Sequence, residues 1–272
     1  MKKETSVLIL SDLHVGALGG LTPPSKWTSI EKADPGESRG AYQRRMFTGI
    51  MQRQIYNWFC ENIVPLEPDV LIVNGDALDG AQKKSNGVGV WSTKVKEQAD
   101  AAKSLIEMVA GPKTKVLMVQ GTPYHDGQYQ EETIADAIDA EFVPRGFVDV
   151  NGLVFDVRHK VGGMKTPAGQ PTLRQSMLAN LLYTAKGLQP QADVIVRSHL
   201  HSFYHMGDET WLGIVTPGFS WASEFGQLEV DRPISVGAIF FPGIVNGDDA
   251  GSVTWYPLIA RLGCQRAPVL KA

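Results

Sequence analysis

The chain has 272 residues, 43% of them hydrophobic, a formal net charge of -3 and two cysteines. That is enough apolar material for a full core, and the overall charge lacks the basic surplus of a general polyanion binder, although a local basic patch remains open. No apolar stretch approaches the length of a membrane span, the run after Met1 is too short for a signal-peptide core, and Cys60 and Cys264 are too isolated for a disulfide framework, so the expectation is a cytoplasmic protein.

Val7 to Leu10 is a short apolar run that reads as a buried strand ending at Ser11-Asp12. Residues 16–40 are rich in Gly, Pro and Ser and read as a long loop. Residues 41–64 carry Tyr42, Met46, Ile50, Trp58 and Ile63 at roughly helical spacing, with Pro65 and Pro68 as the stop. Asp69 to Val73 is a second buried strand running into Gly75-Asp76. A Gly-rich loop over 80–92 carries Lys83, Lys84 and Trp91, and an amphipathic helix over 93–110 ends at Gly111-Pro112. Lys115 to Val119 is the third strand, followed by a turn-rich segment, Gly121-Thr122-Pro123-Tyr124-His125-Asp126. A helix follows over 130–140, then strands over 148–157 leading to His159, a helix over 172–187 closed by Gly187, and a strand at Asp193 to Val196 that opens onto His199-Leu200-His201. The remainder reads as strands at 211–215, 235–241 and 252–259. Strand and helix alternate at first, and strands then follow one another. The expected fold class is α/β, two packed mixed β-sheets flanked by helices, a four-layer αββα sandwich. The candidate ligands run from position 12 to 201 and must converge, so residues 1–272 are expected to form one domain.

Five of the six histidines fall in five short segments, each following or bordering an apolar run. These are Asp12-Leu13-His14, Gly75-Asp76-Ala77-Leu78-Asp79, His125-Asp126, His159 and His199-Leu200-His201. Carboxylates and imidazoles gathered at strand ends are donors for divalent metals. Asp-x-His and His-x-His place two side chains on one side of an extended segment by alternation. Asp76 follows a glycine that permits a tight turn, and its two oxygens can serve two cations. Asp79 reads as a supporting or turn residue, and His205 as peripheral. His125 is the candidate general acid, with Asp126 as the carboxylate that orients it. Each segment also has a bland reading: a capping Asp, a solvated loop histidine, a turn.

In that order the segments resemble the calcineurin-like metallophosphoesterase superfamily over most of the chain. The family's wording is Asp-x-His, Gly-Asp-x-x-Asp, Gly-Asn-His-Asp/Glu, a lone His and Gly-His-x-His. Ser198 stands where the family has the last Gly. The third block departs: Gly121-Thr122-Pro123-Tyr124-His125-Asp126 lacks the Asn ligand and is longer by two residues, with the Thr122 hydroxyl or a water as its replacement and Asn74 and Asn86 as more distant amide sources. The resemblance implies one ion held by Asp12, His14, Asp76 and His201, and a second by Asp76, His159, His199 and Thr122. It further implies attack on phosphorus by a water or hydroxide between the ions, with His125 protonating the leaving oxygen. Mn²⁺ is the first choice for such a mixed N/O site, with Fe, Zn, Ni and Co as alternatives.

The expected function is therefore a metal-dependent phosphoesterase acting on a phosphomonoester or phosphodiester. The alternatives are a nuclease of the same superfamily and a non-catalytic metal-binding scaffold, the altered third block being the scaffold's only support. For substrate the sequence offers Arg44, Arg45 and Arg53 on one helix, Lys83-Lys84 after Asp76, and Trp27, Trp91 and Trp221 in loop-like contexts. Phosphate contact and base stacking compete there with a plain solvated surface.

Overall fold

In a computed structural model of the chain, the residues described are 4–83, 86–126, 130–160, 170–221 and 234–263. The strands are β1 (Thr5–Leu10), β2 (Val70–Asn74), β3 (Lys115–Val119), β4 (Glu141–Val143), β5 (Gly146–Val150), β6 (Leu153–Val157), β7 (Val194–Arg197), β8 (Tyr204–Asp208), β9 (Trp211–Val215), β10 (Gly237–Ile244) and β11 (Tyr256–Ile259). The α-helices are α1 (Arg39–Asn62), α2 (Val95–Glu107), α3 (Pro123–Asp126), α4 (Gln130–Ala137) and α5 (Gln170–Ala185).

The strands form two mixed sheets, a six-stranded one in the order β11-β10-β1-β2-β3-β4 and a five-stranded one in the order β5-β6-β7-β9-β8. β1 to β4 run parallel, as do β6, β7 and β9, with antiparallel strands at the flanks. Alternation along β1 explains the layering. Val7 and Ile9 point between the sheets, where they meet Ile72, Val119, Phe155, Val157, Val196 and Ile214. Leu8 and Leu10 point outward beneath Ile55 and Phe59 of α1 and Leu105 and Ile106 of α2. On the far side, Ile195 and Val215 pack against Leu173 and Met177 of α5. The expected four layers, helices on two packed mixed sheets, are thus present.

Most differences lie at element ends. Helix α1 begins where Ser38 Oγ accepts a hydrogen bond from the Ala41 N–H at 3.2 Å, and it gives way to a 3-10 turn over Val64–Leu66 that accommodates Pro65. Strand β10 continues past the expected end at Phe241, because Pro242 falls where the β1–β10 register shifts and the ladder does not need its missing N–H. The sequence reading omitted three elements. β4 has three residues, α3 has four, and β8 is an edge strand whose Gly207-Asp208 end carries no apolar alternation. Among the described residues no helix is long and apolar enough to cross a membrane. Cys60 is half-buried against the outer core, and Cys264 lies outside the described residues.

Candidate metal centre

The parallel strands β1, β2, β3, β6 and β7 all end on one edge of the two sheets, and the histidine and aspartate segments follow those ends. Carboxyl ends of parallel strands are where open α/β sheets place ligand sites, because the loops there converge while the strands stay rigid. Past Leu10 the pairing of β1 with β2 continues through loop backbone. The N–H groups of Asp12, His14 and Val15 donate to the carbonyls of Gly75, Asp76 and Ala77 at 3.0, 3.0 and 3.1 Å. A buried hydroxyl chain ties this loop to the far sheet: Ser11 Oγ lies 2.7 Å from Thr216 Oγ1, which lies 2.7 Å from Ser198 Oγ, which accepts from Asn74 Nδ2 at 2.6 Å.

The side chains converge by a different route from the one expected. Asp12, His14, Asp76, His199 and His201 have φ of +50, +43, +52, +74 and +50°, so neither Asp12-x-His14 nor His199-x-His201 is extended. Left-handed turns aim these five side chains, in place of strand alternation. Non-glycine residues in that region carry backbone strain that surrounding structure must hold, and such strain gathers at functional sites.

Three donor groups result among the described residues. Two share Asp12, namely Asp12, His14 and His201, and Asp12, Asp76, His159 and His199, and the third, His14, Asp76 and His125, overlaps both; within each, the ligand atoms lie within 4.8 Å of one another. The first two meet along a seam of two carboxylate oxygens. Asp12 Oδ1 is 3.9 Å from His14 Nε2, 3.3 Å from His201 Nε2 and 3.9 Å from His159 Nε2. Asp76 Oδ2 is 3.9 Å from His14 Nε2, 3.0 Å from His159 Nε2 and 4.0 Å from His199 Nδ1. Each carboxylate therefore reaches imidazoles of both groups, whereas the resemblance gave the shared role to Asp76 alone. Thr122 Oγ1 joins the second group, donating to Asp76 Oδ2 at 3.1 Å and lying 3.4 Å from both His159 Nε2 and His199 Nδ1.

Neighbouring acceptors orient the rings. His14 Nδ1 donates to Asp79 Oδ1 at 2.9 Å, and His159 Nδ1 to the Asn74 carbonyl at 2.7 Å, so each turns Nε2 into the cluster. Such outer partners fix the tautomer of a ligating histidine. His125 Nδ1 donates to the Asp79 carbonyl at 2.9 Å, with Asp79 Oδ1 3.5 Å away, leaving Nε2 free at the rim beside His14. The orienting role expected of Asp126 thus has a described occupant in Asp79; the Asp126 side chain lies outside the described residues.

The electrostatics call for added positive charge. Burial alone would raise the Asp12 and Asp76 carboxyls. Facing histidines, His159 foremost, outweigh it and hold both below the usual carboxylate range. Burial likewise pushes His159 down, but the Asp76 and Asp12 charges win and raise it to about 10; His201 is raised beside Asp12 in the same way. His14 goes the other way, lowered chiefly by burial. Asp12 Oδ2 accepts the His199 N–H at 3.2 Å, yet Asp12 Oδ1, fully buried, has no hydrogen-bond partner. A buried carboxylate oxygen without a donor is costly, and a cation at that point satisfies it. The donor set therefore fits divalent metal.

One supporting residue escaped the sequence reading. Glu131 of α4, 1% exposed, accepts from the N–H of Ala77 on one carboxylate oxygen and of Gly121 on the other, both at 2.7 Å, and so clamps the Asp76 and Thr122 turns together. Its only sequence signal was a place on the helix expected over 130–140. Asn74, considered as an alternative amide, is committed to Ser198 through Nδ2, and Asn86 sits in an exposed turn. Two of the candidate phosphate contacts are engaged elsewhere. Arg45 pairs with Glu37 and donates to the carbonyls of Ser29 and Lys32, while Arg53 donates to those of Thr28 and Gly49 and covers the Trp27 ring at 4.7 Å. These residues fasten the 22–37 segment to α1. Trp91 lies under Lys26, and Trp221 is half-buried against Phe47. Lys83 is exposed, and Lys84 lies outside the described residues. His205 stacks on Phe203, away from the cluster.

No protein-family model matches the chain, and no curated protein matches it. Among solved structures it is similar to Entamoeba histolytica Vps29 complexed with zinc, at 10% identity and a TM-score of 0.45, covering 94% of this chain and 99% of that one. It is similar to an archaeal phosphodiesterase at 11% identity and a TM-score of 0.42, covering 93% and 99%. The phosphoesterase YfcE of E. coli aligns at 12% identity and a TM-score of 0.41, again covering 93% and 99%.

Proposed function

We propose that the chain is a metal-dependent phosphoesterase that hydrolyses a phosphomonoester or phosphodiester at a pair of divalent ions. The observation that carries this reading is the buried Asp12 Oδ1, which has no hydrogen-bond partner and faces three imidazole nitrogens at 3.3 to 3.9 Å where two donor groups meet. Asp12, His14 and His201 would hold one ion. Asp12, Asp76, His159 and His199, with the Thr122 hydroxyl, would hold the other. Mn²⁺ suits the mixed imidazole and carboxylate set, as do Fe, Zn, Ni and Co. When bound, such ions neutralise charge growing on the phosphoryl oxygens and lower the pKa of an attacking water.

The chain's own residues supply the rest. Asp76 is held for its task by Thr122, whose N–H donates to Oδ1 at 2.5 Å and whose hydroxyl donates to Oδ2. His125, half-buried at the rim, keeps its Nδ1 proton on the Asp79 carbonyl and in its charged form offers the Nε2 proton to the leaving oxygen.

The test is hydrolysis of bis-p-nitrophenyl phosphate and p-nitrophenyl phosphate by chelator-stripped protein, with Mn²⁺ added back, beside Asp76→Asn. Metal-restored turnover in the wild type and its loss in the variant are expected. Folded wild-type protein that stays inactive with every divalent ion would overturn the reading.

A further inference from the structure

Three rings lead from the centre of the cluster to solvent. His14, 5% exposed, meets His125 edge to face with centroids 4.7 Å apart and planes at 82°. His125 meets Tyr124 in the same way at 5.1 Å and 87°. Tyr124 is 47% exposed. The row is fixed to the scaffold at its middle, since the Asp79 carbonyl holds His125 Nδ1 and the His125 N–H closes a turn onto the Thr122 carbonyl at 2.8 Å. Pro123, with its restricted φ, opens the short helix that carries Tyr124. There is no slack beneath it: a Cβ on Gly80 would stand 2.6 Å from the His125 carbonyl oxygen.

A leaving oxygen that takes a proton from His125 Nε2 must sit within about 3 Å of it. Its phosphorus faces the metal ligands, so its alcohol carbon lies on the other side, away from His14 and Asp76, whose ligand atoms are within 4.8 Å of one of His125's. The alcohol extends outward, past the residue next to His125. A half-exposed aromatic ring on a rigid turn at that point is a stacking surface, and flat aromatic groups gain most from it. The ring is also particular to this chain's wording, since Pro123-Tyr124 are the two residues by which the loop exceeds the Gly-Asn-His pattern.

We infer that Tyr124 forms the wall against which the leaving alcohol packs, and that the substrate is a phosphate ester of an alcohol bearing a nucleobase or similar flat ring. This rests on the phosphoesterase reading and adds a specificity-determining residue to it.

The test uses metal-loaded full-length protein and two matched substrate pairs: adenosine 5′-phosphate against methyl riboside 5-phosphate, and the methyl diesters of both. Within each pair the leaving alkoxide has the same basicity and only the base differs. Release of the free nucleoside or riboside is measured. Wild type should prefer the base-bearing partner by roughly ten- to hundredfold in kcat/KM. Tyr124→Phe should keep that preference, and Tyr124→Ala should lose it through KM. If the wild type shows no preference, if Tyr124→Ala retains it, or if p-nitrophenyl esters are cleaved but neither pair is, this inference falls and the phosphoesterase reading stands. If no ester of any kind is cleaved, both fall.

Discussion

Glu131 is the residue whose replacement tests most directly how the centre is held. Its two carboxylate oxygens each accept one backbone N–H at 2.7 Å, one from the turn after Asp76 and one from the turn before Thr122. In Glu131→Gln one oxygen becomes an NH₂ that can only donate, and it faces a buried N–H. One charge-assisted hydrogen bond is lost and one donor is left without an acceptor, a cost of about 2–3 kcal/mol. A domain stable by about 5–15 kcal/mol survives that loss, so the variant should fold. At a urea m-value of about 3 kcal/mol per molar, the midpoint of the metal-free protein should fall by about 1 M. The same change frees the Asp76 and Thr122 turns to drift apart, so metal affinity should fall by about tenfold or more, as it does when partners of ligating residues are removed. The assay is urea unfolding of stripped protein with a parallel Mn²⁺ titration. A wild-type midpoint together with a wild-type titration would show that the Glu131 clamp carries neither stability nor the geometry of the site.

Gly75 has φ +77°, and an added Cβ would stand 2.6 Å from the His159 ring and 2.7 Å from the Gly121 Cα. Gly75→Ala should therefore cost well over 1 kcal/mol and weaken metal binding, whereas Gly36→Ala, also at positive φ but with nothing within 4 Å, should cost about 1 kcal/mol and leave the metal titration alone. Replacing His125 by Ala should slow alkyl esters by about a hundredfold or more but p-nitrophenyl esters far less, since nitrophenolate leaves unprotonated; equal losses would remove His125 as the acid. His159, raised to about 10, is protonated in metal-free protein at pH 7.5, so loading metal there should release at least about one proton per chain, visible as buffer-dependent binding heats. The same raised value means that this imidazolium's contribution to metal-free stability is complete below about pH 6.5 and fades as pH rises toward 10; a metal-free melting temperature that does not fall over that interval would contradict it.

The strands that position the centre were legible because they are buried on both faces. Runs such as Val70–Asn74 and Val194–Arg197 are nearly all apolar, and that signal needs no partner to be seen. Their ends were legible for the same reason: a carboxylate or imidazole directly after such a run has few places to go. Edge strand β8 and the four-residue α3 gave no such signal, because their stability comes from neighbours and not from their own pattern.

What the sequence determined by itself was which side chains gather: Asp12, His14, Asp76, His125, His159, His199 and His201 all follow strand ends on one rim. How they gather was decided only in three dimensions. The left-handed turns at five of them replace the alternation their spacing suggested; at Asp12, His14 and Asp76 the backbone is held by the pairing of the 12–15 and 75–77 loops and not by residue type. Sharing of the seam by both Asp12 and Asp76, the choice of Asp79 to hold His125, and the clamp from Glu131 join residues 46 to 64 positions apart or span both sheets. Local propensity carries no information about such contacts. They exist because two sheets packed face to face bring their strand ends to one edge, where each buried polar atom must find a partner from another loop.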